Sequence, residues 1–252
     1  MTDAPLAAGH YRVADRVVEL PVWVRDASVL FASFVVPTRA ARAVIGVDRV
    51  ELAEVFPGRA MVSIAAIEYR DNDLGVYNEL AIAFPVRLGG GRALPIVGMT
   101  IDSLRGNIGT YLHRLPVTTA FSCEAGRTIW GLPKTVEKIT IREEHAGEKH
   151  STRTATLTSG EQHVLTLMVR THGKRTFQDT PLVALACIDG TLRKTPFVAS
   201  GSGLGFGLAG ARLTLGEHAI ADELRFLGLP KRPLMSGSVA SMRARYDNAQ
   251  EL

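Results

Sequence analysis

Gly75-Val76-Tyr77-Asn78-Glu79-Leu80-Ala81-Ile82-Ala83-Phe84-Pro85-Val86 reads as a β-strand with two unlike faces. In a strand, successive side chains point to opposite faces. Val76, Asn78, Leu80, Ile82 and Phe84 then share one face, bulky enough to pack a core. Tyr77, Glu79, Ala81 and Ala83 share the other, which turns small beyond Glu79 and leaves room for a ligand beside a carboxylate. Taken alone, the pattern also allows Glu79 to face solvent or to pair with an arginine.

Outward from this strand the chain reads mostly as further strands. Arg16 to Pro37 is rich in Val and Phe and alternates like a pair of strands. Strand-like runs recur at 60–69, 79–88, 94–101, 135–142, 152–158 and 163–170. Gly89-Gly90-Gly91 reads as a hairpin turn, and Glu143 to His150 as a solvated hairpin loop. Three helices are expected. One follows a Thr38 cap and closes at Gly46; a second runs from Asp102 or Ser103 to about Leu115; a third spans Gly216 to Leu227. Most strands lack long helices between them. The expected class is therefore α+β, mostly antiparallel β, with the sheet closing into a barrel or cone and a few helices at its flanks. No composition shift marks a boundary, so residues 1–252 read as a single domain. The glycine-rich Gly201 to Gly207 does not match a dinucleotide fingerprint and suits close backbone packing or a mobile loop. The tail after Leu234 reads as an ordered arm or a frayed end.

A second stretch carries the chemistry: Gly126-Arg127-Thr128-Ile129-Trp130-Gly131-Leu132-Pro133-Lys134. It sets one lysine in apolar surroundings, although lysine is strongly hydrated and seldom fully buried. A free lysine has a pKa near ~10.4, so about one molecule in a thousand is the amine at neutral pH. Burial disfavours the ammonium, and the freed amine attacks a carbonyl to form a Schiff base. The bland alternative is a lysine at a strand end with its stem on apolar surface and its head in water. That alternative fits the second copy of the motif, Gly228-Leu229-Pro230-Lys231, which follows a helix end. The four-residue motif is thus unspecific, and its longer context must decide.

That context resembles the acetoacetate decarboxylase superfamily. The lysine stretch is similar to the family's Gly-Arg-Glu-Ile-Trp-Gly-Phe-Pro-Lys segment, and the glutamate strand to its Gly-x-Tyr-x-Glu strand. The resemblance implies a Schiff-base role for Lys134 and an active-site acid at Glu79. It also implies substrate contacts from Tyr77, Trp130 and, by a looser match, Arg25, together with a homo-oligomer. Arg127 reads as an anchor for the loop. A lysine beside another cation is the family's known means of activation. Here the position after Lys134 is Thr135, and the family's other acidic site residue falls on Ile64. Both departures bear on the substrate more than on imine chemistry.

Composition agrees with a globular protein. Of 252 residues, 46% are hydrophobic and 21% charged, enough to fill a sizeable core. The net charge of +4 comes from scattered residues, so nucleic acid is not an expected partner. Cys123 and Cys187 read as reduced, buried residues of a cytoplasmic protein, with a site role for Cys123 kept open. No secretory signal or membrane-length apolar run is expected. The dispersed histidines suggest no metal site, and imine chemistry needs no cofactor because the iminium is itself the electron sink. Three functions remain: decarboxylation of acetoacetate or a related β-keto acid; the same imine used for aldol condensation, dehydration or cyclisation; or a non-catalytic barrel that binds an apolar ligand.

Overall fold

The structure is a computed structural model that describes residues 8–88, 107–145, 151–171 and 173–252. A hairpin opens it, β1 (His10–Val13) and β2 (Arg16–Glu19), followed by the long β3 (Val22–Pro37) and α1 (Thr38–Ile45). Next come β4 (Glu54–Phe56), β5 (Arg59–Asn72), β6 (Tyr77–Arg87) and β7 (Ile108–Val117). Helix α2 (Ala120–Trp130) leads into β8 (Lys134–Val136) and β9 (Lys138–His145). Then follow β10 (Ser151–Ser159), β11 (Gln162–Thr171), β12 (Arg175–Ile188), β13 (Thr191–Gly207) and β14 (Ala211–Leu215). Helix α3 (Ala219–Phe226), β15 (Met235–Tyr246) and β16 (Gln250–Glu251) complete the chain.

Seven strands in the order β12-β13-β15-β3-β5-β6-β7 close into a barrel, because β12 also pairs with β7 through Ala184 opposite Thr110 and Leu185 opposite Tyr111. Most neighbours are antiparallel, as the short connections demand. The two parallel pairings both involve β7, with β12 and with β8. A second, antiparallel sheet, β14-β11-β10-β9, packs against the barrel.

The alternation in β5 and β6 sorts two cores. Ile64, Leu80, Ile82 and Phe84 pack with Leu157 and Leu165 of the second sheet and Leu224 of α3. Each such fully buried side chain contributes about 1.5–3 kcal/mol. Ile67, Tyr69 and Tyr77 point the other way, into a core with Val117, Ala125, Ile129 and Trp130.

Several expectations need correction. The chain expected to be helical up to Leu115 is strand β7 from Ile108 onward. Its Gly109 lies so close to the side chains of Leu185 and Leu88 that a Cβ would stand 2.7 Å from each. That close packing needs glycine on an extended backbone. The residues after Leu234 are neither arm nor frayed end: β15 is hydrogen-bonded on both sides, between β13 and β3. Gly201 to Gly207 is no loop but lies within β13, and its expected close packing holds: Gly201 packs beneath the ring of Phe177, and Gly237 lies tight against the Gly205 backbone. Glu143 to His145 extend β9 rather than forming a loop. Thr38 is the first helical residue, and its buried hydroxyl has no hydrogen-bond partner; Pro37 takes the cap position, while Gly46 closes the helix in the left-handed conformation as expected. Cys123 and Cys187 are unpaired and only partly buried. The run at 94–101, the Gly89–Gly91 turn and residues 146–150 lie outside the described residues.

Helix α3 is tied to β7 by one carboxylate. Glu223 accepts from Arg114 Nε at 3.2 Å, and a ring nitrogen of His113 lies 3.2 Å away. Burial alone would push Glu223 up, but the His113 and Arg114 hydrogen bonds outweigh it and hold the carboxyl at about 2, below its ordinary 4.5. A depressed carboxyl stabilises the fold above its unfolded pKa, and that stability disappears as pH falls through the folded value. Urea unfolding of wild type and Glu223→Gln should therefore differ by about 1–2 kcal/mol near neutral pH, a figure reduced for partial exposure. The gap should close between about pH 4.5 and pH 2. A gap that stays constant over that window would show the ion pair contributes nothing to folding.

Candidate active site

The lysine segment is a crossover. Helix α2 carries the chain from the end of β7 to the start of β8, which lies parallel to β7 with Lys134 opposite Leu115. The helix starts where Thr119 accepts from the Ser122 amide, and it ends at Gly131 in the left-handed conformation (φ +63°). Pro133 then forbids continuation. Sequence reading left this helix out, although the Thr119 cap and the Gly-x-Pro stop both signalled it.

Two contacts aim the lysine. Arg127 Nη1 donates to the Lys134 carbonyl oxygen at 3.2 Å, the anchoring role expected of it. Gly126, the preceding residue of the helix, lies directly beneath the lysine stem: a Cβ there would overlap Cδ and stand 2.6 Å from Cε. Glycine inside a helix costs up to about 1 kcal/mol relative to alanine. Here it leaves a groove through which the side chain runs.

Across β7, Lys134 meets the glutamate strand. Lys134 Nζ lies 2.8 Å from Glu79 Oε2, and the side chains keep only 3% and 8% of their exposure. A buried cation and carboxylate hold their charges only as a pair. Tyr77 shares the Glu79 face of β6, and Nζ stands 5.2 Å from its ring centroid. Tyr69, cross-strand partner of Tyr77, stacks on it at 4.5 Å and donates its hydroxyl to Glu79 Oε1 at 3.3 Å. Burial first, and the Glu79 charge second, push the Tyr69 and Tyr77 hydroxyls well up and that of Tyr246 to about 12. All three therefore stay protonated at neutral pH, and Tyr69 hydrogen-bonds Tyr77 and Tyr246 as well as Glu79.

Trp130 is buried in the same core, and its indole N–H donates to the Asp247 carbonyl at 2.9 Å, which ties α2 to the chain beyond β15. Cys123 sits on α2 within electrostatic reach of Lys134, and burial raises its thiol. Arg25 is not brought to this group. It alternates with buried Val22 and Val24 on β3, lies half exposed, and is held by Asp71 at 2.9 Å and Asp73 at 2.7 Å. Ile64 is fully buried in the opposite core, and Thr135 is exposed. Among the described residues, no cluster of three His, Cys, Asp or Glu side chains could hold a metal ion. No helix among them is long and apolar enough to cross a membrane.

Gly126, Tyr69 and Tyr246 were missed by the sequence. An unexplained glycine inside a helix was the only local signal for Gly126. Tyr246 is far from Glu79 in the sequence, so nothing local joins the two; Tyr69 lies only 10 positions from Glu79, and the β5–β6 pairing brings it across.

Comparisons with known proteins place this geometry. The chain has the fold of a solved acetoacetate decarboxylase (TM-score 0.65, 19% identity, covering 93% of this chain and 90% of that one). It superposes equally on acetoacetate decarboxylase from Legionella pneumophila (TM-score 0.67, 16% identity, 100% and 92% covered). A third neighbour is the enduracididine biosynthesis enzyme MppR complexed with pyruvate (TM-score 0.62, 16% identity, 93% and 91% covered). Comparison with curated protein sequences gives no match. The family profile described as acetoacetate decarboxylase (ADC) matches residues 3–245. With nearly its whole length matched, this chain belongs to the acetoacetate decarboxylase family.

Proposed function

We propose that the protein is a lysine-dependent enzyme that forms a Schiff base between Lys134 and a small keto acid, and that the outcome is decarboxylation of acetoacetate or a related β-keto acid. One domain spanning residues 1–252 carries the activity. The observation that supports this reading is the 2.8 Å contact between Lys134 Nζ and Glu79 in a site nearly closed to water. Family membership supports it independently, and so does a pyruvate complex of the structural neighbour MppR.

The steps use only this chain's groups. Glu79 accepts a proton from the Lys134 ammonium, a transfer over ordinary hydrogen-bond distance. The amine attacks the keto carbon, Glu79 gives its proton to the departing hydroxyl, and water leaves to give the iminium. The bond to the carboxylate breaks, carbon dioxide departs, and its electron pair moves into the iminium to form an enamine. Glu79 then takes up a proton from solvent and delivers it to the enamine carbon, and water hydrolyses the resulting iminium to release the ketone and restore the Lys134 ammonium. An apolar wall of Tyr77 and Trp130 favours charge loss from the substrate carboxylate.

The second reading keeps the imine and turns the enamine toward aldol condensation, dehydration or cyclisation. Thr135 and Ile64 favour it, because they stand where the resembling decarboxylases carry a lysine and an acid.

Borohydride trapping tests the shared step. Acetoacetate, pyruvate and a longer β-keto acid are each expected to give a reduced adduct that peptide mapping places on Lys134. Analysis of carbon dioxide and organic products then separates the two outcomes. A folded protein with no adduct across the panel would sink both and leave the ligand-binding barrel.

A further inference from the structure

Glu79 has two carboxylate oxygens, and the structure gives each a different partner. Oε2 faces Lys134 Nζ at 2.8 Å; Oε1 accepts from Tyr69 at 3.3 Å. We propose that Tyr69 is a positioning residue: its hydroxyl holds Oε1 so that Oε2 alone is presented to Lys134 for proton exchange. This inference rests on the Schiff-base reading and adds to it the group that orients the acid.

Four observations carry it. Tyr69 lies 4% exposed, so no water competes freely for its hydroxyl. Its ring is fixed by the stack on Tyr77, which itself lies against the lysine. Tyr69 and Glu79 sit diagonally across the β5–β6 pair, where Tyr69 faces Tyr77 and Ile67 faces Glu79, so the sheet register sets their approach. Finally, among the described residues, the groups facing Glu79 are few. They are Lys134 from β8, Tyr77 on its own strand, Tyr69 from β5 and Tyr246 from β15, with Cys123 of α2 farther off beside the lysine. Only Lys134 and Tyr69 among these hydrogen-bond or ion-pair with the carboxylate.

A buried carboxylate that loses a donor is harder to keep charged. Tyr69→Phe keeps the ring and its stack and removes only the hydroxyl. The acid limb of the kcat–pH profile should therefore move to higher pH, by about one unit, because losing a hydrogen bond to the charged carboxylate favours its protonated form. kcat at neutral pH should fall about 10-fold or more, while KM stays within about 3-fold. Tyr111→Phe is the control. It removes another buried tyrosine hydroxyl, from the opposite core. It should leave the profile in place.

The test measures kcat and KM against pH for wild type and both variants, together with borohydride adducts at Lys134. An adduct in all three proteins with a moved limb in Tyr69→Phe alone supports the inference. An unchanged Tyr69→Phe profile beside an intact wild-type adduct overturns it and spares the Schiff-base reading. An equal shift in Tyr111→Phe also overturns it. A wild type that forms no adduct overturns the Schiff-base reading, and this inference with it.

Discussion

Lys134→Met is expected to abolish the borohydride adduct and to lower turnover of any keto-acid substrate by at least about 10³-fold, since it removes the amine that lies against Glu79. The substitution also has a structural consequence. Methionine matches the length and flexibility of the lysine stem, so packing against Gly126 and Tyr77 survives. The charge does not. Glu79 keeps only 8% of its side-chain exposure, and it is left without its cation. Removing one member of a buried pair costs about 3–5 kcal/mol. Lys134→Met should therefore unfold at clearly lower urea concentration than wild type. Adding Glu79→Gln to it should recover most of that loss without recovering any activity. The two readouts separate catalysis from folding. A Lys134→Met protein with unchanged turnover would end the Schiff-base reading, and a double variant less stable than the single one would show that the pair is not the source of the destabilisation.

Gly126→Ala should do the reverse, leaving stability nearly intact and damaging turnover. The new Cβ collides only with the lysine stem, overlapping Cδ and standing 2.6 Å from Cε. A flexible stem yields more readily than backbone, so the collision is relieved by moving Nζ. The helix itself gains, because alanine is favoured over glycine in a helix interior by up to about 1 kcal/mol. A displacement near 1 Å at the reacting atom is worth about 10²-fold in rate. Turnover should fall by roughly that factor, while thermal unfolding shifts by a few degrees at most. Wild-type turnover in Gly126→Ala would mean that the groove under the lysine has no part in aiming it.

The strand pattern in Tyr77 to Phe84 was enough to specify the two-faced strand, because alternation is local and survives whatever packs on each side. The same holds for the predominance of strands and for Gly46 ending α1. The Gly126 to Lys134 stretch likewise singled out Lys134 by its apolar neighbours, and its similarity to a known family supplied Glu79 as the companion. What the sequence left undecided is long-range. β7 carries one glycine and helix-compatible residues, and only pairing with β6, β8 and β12 makes it a strand. β15 looks like a tail until β13 and β3 take up both of its edges. The meeting of Lys134 with Glu79, the donor Tyr69, and the removal of Arg25 to a surface cluster with Asp71 and Asp73 all depend on register and closure of the barrel. Local propensity determines which residues alternate. Which alternating faces are brought together is decided by hydrogen bonding between distant strands, and only the tertiary structure holds that information.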